Sequence, residues 1–575
     1  MSSINRRSLL LAGAGGLGTI ALSCGQGTSA FARDRALRLG AQRAVSIAGT
    51  TLEQAASPAG ASGYRRLQAG PGYPLTVRSD LAAGTGDRDD RRTPLASIVH
   101  FTDLHMVDAQ SPLRFEFLHD VAPSAFRPQE ALGTQGAAQL VKRVNDIKRG
   151  PFSGRTFDCV VSTGDNTDNR EDIELDWFLS VMSGGRITAN TGDASQWEGV
   201  QSGGDSNYWN PEITVQDRYK KAGFPTLPGY FTRATAPHTS EGLDTPWYSV
   251  FGNHDDSIQG TLPSNILGLD AAYTGHFKFT GFAQGTSNLA LQDALRRGST
   301  TILGTGGTMT SSWRVTPDER RRPFSPRDYI ERHRRTAYTG PGPFGHGFDE
   351  EAAATGRGYY AFPIAPGVTG IAMDSTNHAG FTEGSIGDEQ WCWLKRRLRA
   401  GSSTYWDWGI KYKHSVTDEY FVLFSHHTSG TMNNILMDPA KPEIRHAGFD
   451  LLRMLHDFPN VLAWVNGHTH VNSPVAQGHS DPRRAFWEIN TASHIDFPQQ
   501  ARIIDVCDNK DGTLSLFTTL IESAAPYQAS YESGSQTALA SLYRELSFND
   551  IHAALASEGG AGDRNTELLL VNPRA

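Results

Sequence analysis

Cysteine is scarce: four occur in 575 residues, Cys24, Cys159, Cys392 and Cys507. Loss of an N-terminal export segment would leave three, an odd number that cannot close a full disulfide framework. Cys159 and Cys507 sit in apolar runs and read as buried thiols, spaced too widely for a zinc ribbon. Long hydrophobic runs are also missing. Beyond the extreme N-terminus nothing approaches the roughly 20 apolar residues that cross a bilayer. Positive charge is in deficit, with a formal net charge of -8. The arginine clusters at 320–322 and 332–335 are short and lie among acids, which disfavours nucleic acid as a partner and excludes a broad footprint for anionic lipid. There is no G-x-S-x-G nucleophile elbow, and no repeat at a period of 20 to 50 residues.

What is present begins with Arg6 and Arg7 ahead of a glycine-diluted apolar stretch and an A-x-A pattern at Ala30 and Ala32. This predicts a signal at 1–32 resembling the twin-arginine type, export machinery as a partner, cleavage after Ala32 and no membrane span afterwards. The expected location is across a bacterial cytoplasmic membrane: secreted, periplasmic or cell-wall associated. A lipid anchor on Cys24 is disfavoured because "IALSC" lacks leucine three residues before the cysteine.

Residues 33–92, rich in Gly, Ala, Arg and Asp, read as an extension and linker. Regular structure is expected from 93 to 525. Strand patterns at 95–102 and 157–163 flank a helical pattern at 130–149, a β-α-β unit. A helix at 171–182 comes next. Strands are expected at 247–252, 370–374, 420–425, 461–466, 485–491, 501–507 and 514–520, with a helix at 388–400. The alternation predicts a layered α/β protein. Two intervals, 183–246 and 257–358, read as structured insertions around the site mouth, on the strength of aromatics such as Trp197, Tyr208, Trp209 and Tyr230. The tail at 526–575 reads as partly helical.

The chemistry lies just past the end of each strand. Asp103 and His105 come after the first, Asp165 and Asn166 after the next, and Asn253, His254 and Asp255 after "YSVF". His426 and His427 come after "YFVLFS", and "NGHTH" puts His468 and His470 after "VLAWV". Ligands in α/β sheets bind beyond the carboxyl ends of strands, so five such pieces point to one site. Gly467 is expected to permit the turn that brings His468 and His470 together. Two ions about 3.5–4 Å apart can clamp an in-line displacement at phosphorus and acidify a water. Imidazole, carboxylate and amide oxygen together suit Mn, Fe or Zn, divalent or mixed-valence, over Mg and Ca.

The pattern D-x-H, G-D, G-N-H-D, H and G-H-x-H resembles the calcineurin-like metallophosphoesterase superfamily over roughly 95–525, with all five blocks present. The resemblance implies a four-layer α/β/β/α sandwich holding two metal ions. It implies Asp103, His105 and His470 on one ion, Asn253, His426 and His468 on the other, and Asp165 between them. It also implies that His254 is a catalytic histidine that donates a proton to the leaving oxygen or stabilises the transition state, its ring oriented by Asp255. His427 is the alternate to His426. Asn166, Asp108, Asp374, His378 and His494 are candidates for supporting or substrate-facing roles. The expected activity is hydrolysis of small phosphodiesters or phosphomonoesters by metal-activated hydroxide. A non-catalytic, metal-containing exported binding protein on the same fold is the alternative.

Overall fold

In "YFVLF" (Tyr420–Phe424) alternate side chains part to opposite faces. Tyr420, Val422 and Phe424 enter one apolar cluster while Phe421 and Leu423 enter another. Such a strand is buried on both sides, as its unbroken apolar run requires. A computed structural model describes residues 46–263, 266–281, 287 and 311–575. The expected signal, Cys24 and part of the second insertion lie outside the described residues.

Along the chain the main strands are β1 (Thr76–Arg78), β2 (Thr93–Phe101), β3 (Cys159–Thr163), β4 (Trp247–Val250), β5 (Tyr360–Ala365), β6 (Val368–Ala372), β7 (Tyr420–Phe424), β8 (Val461–Asn466), β9 (Ser473–Gln477), β10 (Phe486–Asn490), β11 (Gln500–Asp508), β12 (Thr513–Glu522) and β13 (Thr566–Val571). They form a seven-stranded sheet in the order β1-β13-β12-β11-β2-β3-β4 and a six-stranded sheet in the order β5-β6-β7-β8-β10-β9. The runs β2-β3-β4 and β6-β7-β8-β10 are parallel. Their carboxyl ends therefore release their loops at a common edge of each sheet.

The main helices are α1 (Gly133–Ile147), α2 (Asp172–Ser183), α3 (Pro326–His333), α4 (Asp388–Ala400), α5 (Gly448–Leu455) and α6 (Gln536–Asn549). Leu140 and Val144 of α1 and Phe178 and Met182 of α2 share a cluster with the first sheet, which also takes in the inner face of the second. Leu394 and Leu398 of α4 and Leu451 and Leu455 of α5 cover the opposite face of the second sheet. The sheets face each other through Tyr248 stacked on Phe362 at 3.8 Å and through the Trp487 indole N–H donating to the Leu569 carbonyl at 3.0 Å.

Two expectations change. Residues 76–78, expected in a linker, form the edge strand β1, paired with β13 from the tail. Arg88, from the same stretch, forms a two-pronged ion pair with buried Glu567 at 2.9 Å. The aromatics of the first insertion do not ring a site mouth. Trp209, Tyr208 and Tyr230 fill a separate apolar cluster with Phe126 and with Leu539, Leu542 and Leu546 of α6, because a surface loop of that length needs its own core. Among the described residues no helix is long and apolar enough to cross a membrane.

Candidate metal centre

Five of the expected ligands take left-handed backbone conformations, which side chains other than glycine adopt at a cost. Their φ values are 51° at Asp103, 42° at His105, 49° at Asp165, 68° at His468 and 59° at His470. The role expected for Gly467 is therefore different: the histidines make the turn, and the glycine supplies room. A Cβ there would lie 1.8 Å from Thr102 Oγ1 and 2.4 Å from Asp103 Oδ2. Gly252 is constrained likewise, its Cβ position falling 2.2 Å from Asp165 N.

This packing divides the labour of each carboxylate. Asp103 Oδ2 accepts from Thr102 Oγ1 at 2.6 Å and from the His468 amide at 3.0 Å, leaving Oδ1 with no hydrogen-bond partner. Oδ1 faces His470 Nε2 at 3.2 Å and His105 Nε2 at 3.9 Å. Asp165 Oδ1 accepts from the His254 amide at 2.8 Å, while Oδ2 lies 3.2 Å from His426 Nε2 and 3.7 Å from His105 Nε2. One oxygen of Asp165 thus stands between two groups of donors. On the far side, His426 Nε2 lies 2.9 Å from Asn253 Oδ1 and 3.1 Å from His468 Nδ1. The Asn253 amide is oriented by donation from Nδ2 to the Gly260 carbonyl at 3.0 Å.

The donor chemistry fits cations. His426 Nδ1 sits 2.9 Å from the Thr163 carbonyl and so carries the proton in the neutral ring. Its Nε2 lone pair then confronts Asp165 and Asn253 oxygens, an arrangement of acceptors that needs a positive charge among them. His105 Nε2 and Asp103 Oδ1 are buried without hydrogen bonds, which buried polar atoms rarely are unless they ligate something. With protein charges alone, burial works against ionising His426, yet the Asp165 carboxylate pushes it up to about 9. His470 is likewise pushed up to about 10, against burial, by Asp103. Burial and neighbouring His426 push His468 down to about 3. Burial also acts against Asp103 and Asp165, but their histidine partners hold both well below the usual carboxylate range. Ligand atoms of Asp103, His105 and His470, of Asp103, Asp165 and His426, and of His426, His427 and His468 each gather closely enough to hold an ion.

Behind the first group lie residues the sequence reading missed. Asp168 Oδ1 meets His105 Nδ1 at 3.1 Å, and Arg114 holds its other oxygen at 3.1 Å. Asp496 Oδ2 meets His470 Nδ1 at 2.7 Å, and Arg127 grips both its oxygens at 2.6 and 3.0 Å. Carboxylates on the outer nitrogen of ligating histidines fix ring orientation and tautomer. The signal was proximity: Asp168 is three residues after Asp165, and Asp496 two after His494.

His254 presents its ring at the site, edge-on to His105 with centroids 4.5 Å apart. Its Nδ1 is held by the Asp168 carbonyl at 2.6 Å, so Asp168 and not Asp255 orients it. Asp255 turns away to accept from the amides of Gly252, Asn166 and Thr167 at 3.0, 3.3 and 2.9 Å. Burial and Asp165 push its carboxyl up to about 7.

The other candidates are engaged elsewhere. Asn166 is spent on Ser162, Val250 and Tyr329, leaving nothing for an anion. Asp108 is bound by Arg321 at 2.9 Å and by Thr191. His427 has both ring nitrogens occupied, by Ser375 Oγ at 2.9 Å and the Thr382 carbonyl at 3.0 Å. The His494 ring packs against Tyr543 with both ring nitrogens buried and without hydrogen bonds, while its amide faces the Thr102 and Asp103 carbonyls. His378 is clamped between Asp256 at 2.8 Å and Asp374 at 3.4 Å. Although burial opposes it, this pair raises His378 well above its ordinary range. A separate grouping of His119, Asp120 and His552 already has its cation, for Arg218 Nη1 lies 3.0 Å from His119 and 2.5 Å from Asp120.

No protein-family model and no curated protein sequence matches the chain. Among solved structures, a dimetal phosphatase from Danio rerio is 11% identical with a TM-score of 0.32, covering 75% of this chain and 99% of that one. A purple acid phosphatase from yellow lupin (Lupinus luteus) seeds is 10% identical with a TM-score of 0.27, covering 82% of this chain and 55% of that one. At these scores neither likeness fixes what this chain is.

Proposed function

We propose that the chain is a metallophosphoesterase of the calcineurin-like type, built as a four-layer α/β/β/α sandwich and hydrolysing small phosphoric esters at a dinuclear centre. The observation that carries this reading is Asp165 Oδ2, flanked by His105 Nε2 at 3.7 Å and His426 Nε2 at 3.2 Å, with Asp103 and His470 gathered on one side and Asn253 and His468 on the other. The layer order is supported by helices α1 and α2 packed on one sheet and α4 and α5 on the other.

Two bound transition-metal ions, Mn, Fe or Zn, would supply Lewis acidity, neutralise phosphoryl charge and lower the pKa of water. The rest falls to the chain. Asp103, His105 and His470 would hold one ion, Asn253, His426 and His468 the other, with Asp165 as the carboxylate available to both. Asp168 and Asp496 keep the ring nitrogens of His105 and His470 turned inward. With its Nδ1–H committed to the Asp168 carbonyl, His254 gives a proton from Nε2 to the leaving oxygen only as the imidazolium, and ends as the neutral ring that keeps the Nδ1 proton. Residues 1–32 are read as the export signal, and the mass of the mature N-terminus from an exporting host tests that separately.

The deciding experiment reloads purified protein with Mn, Fe or Zn and measures metal content beside hydrolysis of a chromogenic phosphodiester and phosphomonoester, with Asn253→Ala as control. Metal-dependent turnover lost in the variant is the expected result. Two ions bound per chain without turnover on either ester would overturn catalysis in favour of a binding role.

A further inference from the structure

In "TYWDWGIKYK" the strands Thr404–Asp407 and Ile410–Lys413 form a hairpin that, among the described residues, joins no other sheet. Asp407 pairs with Ile410, so the turn is only Trp408 and Gly409, with φ of 51° and 76°. Two-residue turns with both residues left-handed usually place asparagine or aspartate before the glycine. Here a tryptophan occupies the strained position while 93% exposed, so packing gives it nothing in return. Beside it Ile410 is 59% exposed, and Lys411 and Lys413 are exposed as well. The hairpin's single acid, Asp407, is neutralised by Lys395 at 2.7 Å and by Arg399. The tip therefore shows an indole, an aliphatic side chain and two lysines with no free carboxylate.

The base of the hairpin is firm. Tyr405 stacks on Tyr412 at 5.3 Å and on Phe458 at 5.7 Å, and the Trp406 amide donates to the Asp457 carbonyl at 2.9 Å. Asp457 and Phe458 lead into β8, and the hairpin itself leads into β7. It thus projects from the amino edge of the second sheet, whereas His426 and His468 leave the carboxyl edge.

We propose that this hairpin docks on the surface of an anionic lipid bilayer, with Trp408 and Ile410 entering the interface and Lys411 and Lys413 meeting headgroup phosphates. Tryptophan settles at the membrane–water boundary, and lysines near it gain from anionic lipid. A chain of net charge -8 is repelled by such a surface overall, so first contact falls to a local basic element. A sugar-binding platform would present flat aromatic faces, whereas Ile410 gains only from apolar surroundings. Docking by the amino edge leaves the carboxyl edge, with its metal centre, turned towards the water.

The test sediments the full chain with phosphatidylcholine vesicles, with and without phosphatidylglycerol, at low and high salt. Asparagine suits the turn better than tryptophan, so Trp408→Asn is expected to hold or raise the thermal midpoint while cutting partition to anionic vesicles at least about tenfold. Lys411→Gln with Lys413→Gln should remove the preference for anionic lipid and its salt sensitivity. Hydrolysis of a soluble ester should match wild type in both the Trp408→Asn and the double-lysine variants. Absence of wild-type partition, equal partition of wild type and Trp408→Asn, or retention on insoluble polysaccharide without retention on vesicles would each overturn the proposal.

Discussion

His470 Nδ1 lies 2.7 Å from Asp496 Oδ2, and Arg127 clamps the same carboxylate from behind. Burial works against the charge, but Arg127 and His470 hold Asp496 well below the usual carboxylate range. It therefore stays an acceptor and keeps His470 Nε2 aimed at Asp103.

Asp496→Asn keeps the shape and removes the charge. Metal affinity is expected to fall about 10- to 100-fold, with the thermal midpoint of the metal-free protein little changed. Competition with a chromogenic chelator measures the first and scanning calorimetry the second. Unchanged affinity would mean that His470 is held by packing alone.

His254→Gln should separate chemistry from metal binding. His254 touches the Asp168 carbonyl and the His105 ring, and lies close enough to both side chains to be a further donor, so metal content has to be read beside the rate. Its loss is expected to lower kcat about 10²- to 10⁴-fold at unchanged metal content. Asn253→Ala, by contrast, should lower both, and elemental analysis beside steady-state kinetics distinguishes the two.

Gly467→Ala forces a methyl group onto Thr102 Oγ1 and Asp103 Oδ2. The expected cost is about 1–3 kcal/mol of stability, together with displacement of the Asp103 carboxylate from the His468 amide. Urea unfolding and metal content should fall together. A variant as stable as wild type with both ions retained would contradict the close approach.

His333, at the end of α3, is buried among Phe178, Trp247, Tyr329 and Phe348, its Nδ1 held by the Tyr329 carbonyl. Burial, aided by nearby His346, pushes it down to about 3. An unfolded histidine takes up its proton near 6.5 and the folded one does not. Its stabilising effect is therefore complete above about pH 6.5 and is lost on acidification from there towards pH 3, by up to about 1.4 kcal/mol per pH unit. His333→Phe should flatten that part of the stability profile by about 2 kcal/mol between pH 7 and 5, measured by denaturant titration at each pH.

Strand ends were the legible part of the sequence. Asp103, Asp165, Asn253, His426 and His468 each come within a few residues of an apolar run, so parallel pairing brings them to one edge. Their supports carried only the weak signal of closeness in the sequence, because nothing periodic marks Asp168 or Asp496. Arg114 and Arg127 are almost wholly buried, where arginines are rarely found. Edge strands escaped for another reason. β5 and β9 contain Pro363 and Pro474, which demote a run in any reading by alternation and which sit most easily at a sheet edge. Asp255 was misassigned because adjacency to His254 says nothing of side-chain direction in a turn.

The left-handed ligand positions set two kinds of selection against each other. At Asp103, His105, Asp165, His468 and His470 glycine would relax the backbone, so variants chosen for heat resistance in the absence of metal should collect substitutions at the very codons the proposed centre depends on. A thermostability screen of this protein therefore has to be run with the ions present, or it will enrich for sturdier proteins without a centre.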